Sequence, residues 1–133
     1  MTSLPLPVPD EDSQPFWDYC RAGELRAQRC TACGHLRYPP RPTCPQCSST
    51  DLEWQPLSGR GTVYTYAISH QAIHPALEGR VPFTTLIVAL EEGLHMTSNL
   101  VEGSPPVEID TPVEVVFEAV TDEITLPRFR VAP

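Results

Sequence analysis

The stretch Cys30-Thr31-Ala32-Cys33-Gly34-His35-Leu36-Arg37-Tyr38-Pro39-Pro40-Arg41-Pro42-Thr43-Cys44-Pro45-Gln46-Cys47 decides the fold. It carries two Cys-x2-Cys pairs. A two-residue gap lets both thiolates of one turn face a single ion. Gly34 can take the left-handed conformation that aims backbone N–H groups at sulfur. Two such turns complete a tetrahedral set of four thiolates, the donor set that suits Zn²⁺. A closed four-thiolate site offers no position for water or substrate, so the metal is expected to brace the fold. About fifty residues surround it, too few for a good apolar core, and the ion substitutes for one. An iron redox centre is the alternative for the same ligands. A disulfide pairing fits poorly with a start, Met1-Thr2-Ser3-Leu4, that has no export signal.

Outward from this stretch, short elements are expected. On its N-terminal side, Asp12 or Ser13 can cap a helix over residues 14–22, with Pro15 in its first turn and Gly23 as its stop. That helix shows Phe16, Trp17, Tyr19 and Cys20. Cys20 reads as a buried small apolar residue. Leu25, Ala27 and Arg29 alternate with Glu24, Arg26 and Gln28 as a strand entering the first metal turn, and residues 36–38 leave it. Pro39-Pro40-Arg41-Pro42 is a rigid link. Residues 51–57 give another strand.

Beyond Ser58-Gly59-Arg60-Gly61, a turn, the texture changes. Residues 62–69, 83–90, 94–101, 113–120 and 124–131 read as five strands rich in β-branched and aromatic residues. Glu91-Glu92-Gly93 is a three-residue hairpin turn. Five short strands with a long link before the fourth predict a Greek-key barrel, best matched by the OB-fold, with an SH3-like barrel as competitor. The expected class is mainly β: a short N-terminal helix, a four-cysteine zinc ribbon, then a five-stranded OB barrel. The expected organisation is a flexible arm over 1–11, helix and rubredoxin-like ribbon over 12–57, and the OB domain over 58–133.

Composition narrows function. Nine basic and seventeen acidic residues give a net charge of −8. All the basic residues are Arg, which excludes lysine Schiff-base chemistry and a P-loop lysine. The acidic balance argues against nucleic acid and anionic membrane as partners. Sixteen prolines among 133 residues, against a usual share of about 5%, disfavour long helices. No apolar run approaches the roughly 20 residues needed to span a bilayer, and a cytoplasmic location is expected.

The ordered set of Phe16-Trp17, the four-cysteine ribbon with Pro39-Pro40-Arg41, Ser58-Gly59-Arg60-Gly61-Thr62-Val63, Val81-Pro82-Phe83, Glu92-Gly93 and Leu126-Pro127-Arg128-Phe129 resembles the acyl-CoA-associated OB-fold proteins with a rubredoxin-like zinc ribbon. That family was long catalogued as a domain of unknown function. Two positions depart from its pattern: Ser48 stands where the family often has Gly after the last ligand cysteine, and Ile109-Asp110 where it often has Ile-Gly.

The resemblance implies a non-catalytic accessory subunit of a thiolase-superfamily enzyme that acts on acyl-CoA carbon–carbon bonds. The implied partner is a thiolase-like or lipid-transfer-protein-like subunit in a hetero-oligomer, with a hydratase subunit as a further candidate. A retro-aldolase of steroid side-chain degradation is the first reading. An acyl-CoA thiolase, an acyltransferase or a 3-hydroxy-3-methylglutaryl-CoA synthase complex is the alternative. Single-stranded nucleic-acid binding through the OB face, with Tyr64 and Tyr66 as stacking residues, is the alternative of another class.

Cys30, Cys33, Cys44 and Cys47 are the metal candidates, and no residue is assigned a catalytic role. Arg37, Arg41 and Arg60 are candidates for coenzyme A phosphates at the partner interface. Phe16, Trp17 and Tyr19 are candidate partner anchors. His70 and His74, in a loop between strands, are candidate contacts.

Overall fold

The computed structural model describes residues 7–72, 75, 79 and 81–133. His74 and residues 1–6 of the expected arm lie outside them. One helix, α1 (Gln14–Arg21), precedes two sheets. The first has three strands, β1 (Arg26–Cys30), β2 (Leu36–Arg37) and β3 (Leu52–Pro56), in the order β2-β1-β3. The second has five, β4 (Arg60–Ser69), β5 (Phe83–Leu90), β6 (His95–Asn99), β7 (Pro112–Ala119) and β8 (Thr125–Val131), in the order β6-β5-β4-β7-β8. All these pairings are antiparallel. A parallel bridge between Leu100 and Phe129 brings β6 round to β8. The five strands thereby form a nearly closed Greek-key barrel, as expected from the strand spacing.

The helix starts one turn earlier in hydrogen bonding than its capping residues suggest. Asp10 and Ser13 bond reciprocally: the Asp10 N–H donates to Ser13 Oγ at 3.0 Å, and the Ser13 N–H donates to Asp10 Oδ1 at 2.8 Å. Ser13 holds the N-cap position, as expected, but its side chain makes no cap bond to the helix; the carboxylate that closes the turn is that of Asp10 and not Asp12. These bonds hold the Asp10 carboxyl below its usual range. Phe16 and Cys20, four residues apart, share the buried face of α1. They join Leu25, Val63, Leu86, Val88, Leu90, Met96, Val107, Val113 and Phe129 in one core. The helix packs on β7, β8 and β1, so it seals the barrel and carries the ribbon.

Within the barrel, alternation sets the inside. Val63 faces Val88, Leu86 faces Ser98, and Val88 faces Met96. The β5–β6 hairpin closes with the Leu90 N–H on the Leu94 carbonyl at 2.8 Å, and Gly93 supplies φ 96°. Gly61 sits where a Cβ would run into the Ala89 carbonyl oxygen, so only glycine lets β4 pass between β5 and β7. Among the described residues, no helix is long and apolar enough to cross a membrane.

Candidate metal centre and its surroundings

Two matching turns build the sulfur cluster. In the first, the Gly34 N–H bonds the Cys30 carbonyl at 2.8 Å and the Cys30 N–H bonds the His35 carbonyl at 2.9 Å. In the second, the Ser48 N–H bonds the Cys44 carbonyl at 2.8 Å and the Cys44 N–H bonds the Ser49 carbonyl at 2.9 Å. Gly34 at φ 80° and Ser48 at φ 63° occupy equivalent left-handed positions. The turn geometry demands that conformation, and a serine there is strained. Asp110, at φ 71°, is the other non-glycine residue with positive φ among the described residues. The two places where the sequence departs from the family pattern are therefore the two non-glycine positions, among the described residues, where the backbone takes the left-handed conformation that favours glycine.

The four Sγ atoms lie within 4.8 Å of one another. Cys30 and Cys47 are 3.5 Å apart, and Cys33 and Cys44 are 3.6 Å apart. A tetrahedron with metal–sulfur bonds of about 2.3 Å has edges of roughly 3.8 Å, so the residues present fit Zn²⁺. Cys30 and Cys44 are buried, while Cys33 and Cys47 are exposed.

Without an ion the four thiols resist joint ionisation. The Cys33 amide draws Cys30 down to about 6. At Cys44, burial opposes the thiolate, but the Gln46 and Cys47 amides carry it below its usual value. The His35 amide favours the Cys33 thiolate, yet burial and the sulfurs of Cys44 and Cys30 leave it raised. The Ser49 amide likewise favours the Cys47 thiolate, but the Cys30 and Cys33 sulfurs push it up to about 12. A central divalent cation would remove this repulsion and bind all four as thiolates. With four protein ligands its coordination would be complete, and it would supply structure.

Gln28 ties the cluster to the proline link. Its Oε1 accepts from Arg37 Nε at 2.8 Å and from the Arg41 N–H at 2.8 Å. Arg37 NH2 also donates to the Arg41 carbonyl at 3.2 Å. These bonds fix the path from β2 to the second cysteine turn. Strand alternation alone puts Gln28 on the side opposite Ala27, yet both are buried, because Arg37 and Arg41 fold over the glutamine.

The remaining candidates separate. Arg37 is only 4% exposed, and its guanidinium serves the Gln28 clamp. Phe16 is 2% exposed and belongs to the core. Neither presents its side chain to a ligand or partner. Trp17 is half-buried, edge-on to Phe16 at 5.0 Å. Tyr19 lies under the Arg26 guanidinium at 4.5 Å and beside Trp54 at 5.9 Å. Arg41 is exposed. Arg60 is exposed and paired with Glu91 at 3.1 Å, far along the chain from the Arg37–Arg41 contact. His70 is exposed at the end of β4. Cys20 is fully buried, and burial pushes its thiol up to about 12, which makes it inert. Ser98, in a strand, spends its hydroxyl on the Pro127 carbonyl at 2.6 Å.

Comparison with known proteins follows the same two-part layout. Residues 17–53 match the family described as the ChsH2 rubredoxin-like zinc ribbon domain, and residues 54–118 match the ChsH2 C-terminal OB-fold domain. The chain is 37% identical to a DUF35 domain-containing scaffold protein of Methanocaldococcus jannaschii, over 79% of this chain and 72% of that protein. It is 40% identical to the 3-oxo-4,17-pregnadiene-20-carboxyl-CoA hydratase alpha subunit of Mycobacterium tuberculosis, over 84% of this chain and 35% of that protein. It therefore spans only about a third to two fifths of the length of the hydratase alpha subunits it matches. Among solved structures, a chain of an Ltp2-ChsH2(DUF35) aldolase superposes with a TM-score of 0.86 at 37% identity, covering 96% of this chain and all of that one.

Proposed function

The chain belongs to the DUF35 family in its ChsH2 form, a zinc ribbon followed by an OB-fold domain, and from that premise we propose that it is a non-catalytic accessory subunit of a thiolase-superfamily enzyme acting on acyl-CoA carbon–carbon bonds, in the first instance a retro-aldolase of steroid side-chain degradation. The observation that carries this reading is the end-to-end match to a chain of a two-component aldolase. The steroid assignment draws support from the hydratase subunit whose name specifies a steroid acyl-CoA.

The chemistry of this chain agrees with the division of labour. Its sulfur cluster supplies four ligands to one ion and so leaves no open coordination position. The nucleophile and general base belong to the partner. Here Zn²⁺ held by Cys30, Cys33, Cys44 and Cys47 stiffens the ribbon, the ribbon and α1 pack together, and the barrel supplies contact area. Coenzyme A would meet this chain only at the partner boundary, where Arg41, Arg60, Trp17, Tyr19, His70 and His74 remain the candidate contacts. The assembly is a cytoplasmic hetero-oligomer.

The test is co-expression with a thiolase-superfamily subunit of the same organism. A β-hydroxyacyl-CoA carrying a steroid nucleus is then offered to each protein alone and to the pair. The expected result is a stable complex, with cleavage only when both chains are present. Turnover by this chain alone, or undiminished turnover by the partner alone, would sink the proposal.

A further inference from the structure

Arg37 is a buried cation with no carboxylate to match it. It is only 4% exposed. Its Nε donates to Gln28 Oε1 at 2.8 Å and its NH2 to the Arg41 carbonyl at 3.2 Å, and both acceptors are neutral. NH1 is buried without a hydrogen-bond partner, and no carboxylate pairs with the guanidinium, among the described residues. The two carboxylates of residues 25–57, Asp51 and Glu53, are exposed. Glu53 stands opposite Arg29 in the β1–β3 pairing, on the other face of the sheet from Gln28. The Gln28 clamp explains two of the guanidinium nitrogens. It does not explain why a full charge is buried to make it, since burying an unmatched charge costs far more than a bond to a neutral acceptor returns.

The matching negative charge lies on the same face, at the sulfur cluster. Gln28 and Arg37 are directly paired across β1 and β2, so their side chains share a face. Cys30, two residues on from Gln28 and buried like it, shares that face as well. Two residues along a strand span roughly 7 Å. The Arg41 carbonyl that holds NH2 comes three residues before Cys44. The guanidinium is thus tied to the approaches of both buried ligands, Cys30 and Cys44. Four thiolates around a divalent ion carry two negative charges. Residues 25–57 hold four arginines and two carboxylates, a surplus of +2, while the rest of the chain holds five arginines and fifteen carboxylates. In an acidic chain, the cationic surplus is confined to the segment that would enclose the dianion.

We propose that Arg37 is the counter-charge of the metal-loaded cysteine cluster, a positioning residue whose guanidinium, held in place by Gln28 and Arg41, offsets the tetrathiolate and sets how tightly the ribbon keeps its ion. The effect is Coulombic and acts through the protein interior, where charges are poorly screened. It needs no direct bond from NH1 to sulfur. Groups outside the ligand set tune metal sites in this way. The inference is independent of the accessory-subunit reading. It requires only that the four cysteines take a divalent ion.

The test uses the full chain with Arg37→Met, Arg37→Lys and Gln28→Glu. The first removes the charge and keeps the length. The second keeps the charge and gives up the planar fork. The third keeps the clamp's acceptor oxygen and cancels the charge. Zinc retention is read by competition with a chromophoric chelator, and melting temperature confirms folding. Each protein is also loaded with iron in place of zinc, and its Fe³⁺/Fe²⁺ balance is read at an electrode. The expected result is zinc retention about 10-fold weaker for Arg37→Met and Gln28→Glu, and within about 3-fold of wild type for Arg37→Lys. In the same two variants the iron balance should move about 10-fold toward Fe³⁺, about 59 mV for one electron, because the ferric cluster carries one negative charge fewer. A purely structural clamp gives a different order. Arg37→Lys would then fail along with Arg37→Met, and Gln28→Glu, its bonds now charge-assisted, would hold zinc at least as tightly as wild type with the iron balance unmoved. That outcome overturns the inference. Where Arg37→Met does not fold, Gln28→Glu decides. A wild-type chain that takes up no divalent ion overturns the inference together with the metal assignment, and leaves the accessory-subunit reading to its own test.

Discussion

Between Arg26 and Pro56 the chain makes three short strands that bury Ala27, Gln28, Cys30 and Cys44. Between Arg60 and Val131 it makes five strands that bury Val63, Leu86, Val88, Met96, Val113 and Phe129. The first region encloses one amide, the Arg37 guanidinium, one methyl and two of the four ligand sulfurs. The second encloses hydrocarbon. The first region depends on a cation to draw its parts together, because its few apolar groups gain little from leaving water. The second needs none. Each core side chain there contributes roughly 1.5–3 kcal/mol by burial.

The contrast breaks first, and most visibly, at the metal. Chelation of zinc, or Cys44→Ser, is expected to abolish protection of the amides of β1–β3 in hydrogen exchange while those of β5 persist. The loss is large, since apparent binding energies of structural zinc are on the order of 10 kcal/mol. Simultaneous loss of β5 protection would mean that the two regions are one cooperative unit.

Phe129→Ala probes the other side of the comparison. It removes a fully buried ring and should cost about 4 kcal/mol in denaturant unfolding. The ribbon should keep its zinc with unchanged stoichiometry.

The Cys20 thiol sharpens the contrast between the two kinds of sulfur. Its folded value of about 12 lies above the ordinary 9. From about pH 9 upward the unfolded chain releases this proton while the folded chain holds it, so stability falls as pH rises towards 12. The slope amounts to on the order of 1 kcal/mol at pH 10. In zinc-loaded protein, Cys20→Ala should flatten it between pH 9 and 10, below the range where the buried Tyr38 hydroxyl, held above its usual value by desolvation, adds its own share, as read from denaturant midpoints against pH. A slope persisting between pH 9 and 10 would point to another group.

The smallest effect concerns the two matching turns. Ser48→Gly should stabilise the ribbon by about 0.5 kcal/mol, the left-handed strain relieved less the added freedom of the unfolded chain. A rise in zinc retention against a competing chelator would register it. Loss of retention would show that the serine side chain contributes to the turn.

Much of this architecture can be read from residue order. The apolar run Phe83–Leu90 gives its strand to the residue, and Glu91-Glu92-Gly93 gives its turn. The cysteine spacing gives the cluster. What stays hidden is whatever depends on contacts distant in sequence. Gln28 looks outward-facing until Arg41, thirteen residues on, donates to it. Arg37 looks like a surface cation until the same glutamine draws it under cover. Asp12 and Ser13 look like the caps of α1, and pattern alone does not rank Asp10 beside them. The register change beside Tyr64 leaves no trace in alternation, yet it opens one end of β4 to the outside.

The junction of β6 with β8 has one further consequence. Around most of its circumference the barrel is held by full ladders, but here it is stitched by the Leu100–Phe129 bridge, the Val101 N–H on the Phe129 carbonyl at 2.9 Å, and the Ser98 hydroxyl on Pro127. Pro127 brings no N–H of its own to the join. The cylinder is therefore a C-shaped wall with a latch, and its earliest breathing motion should be the latch lifting, with Val101 exchanging its amide hydrogen before any interior strand does.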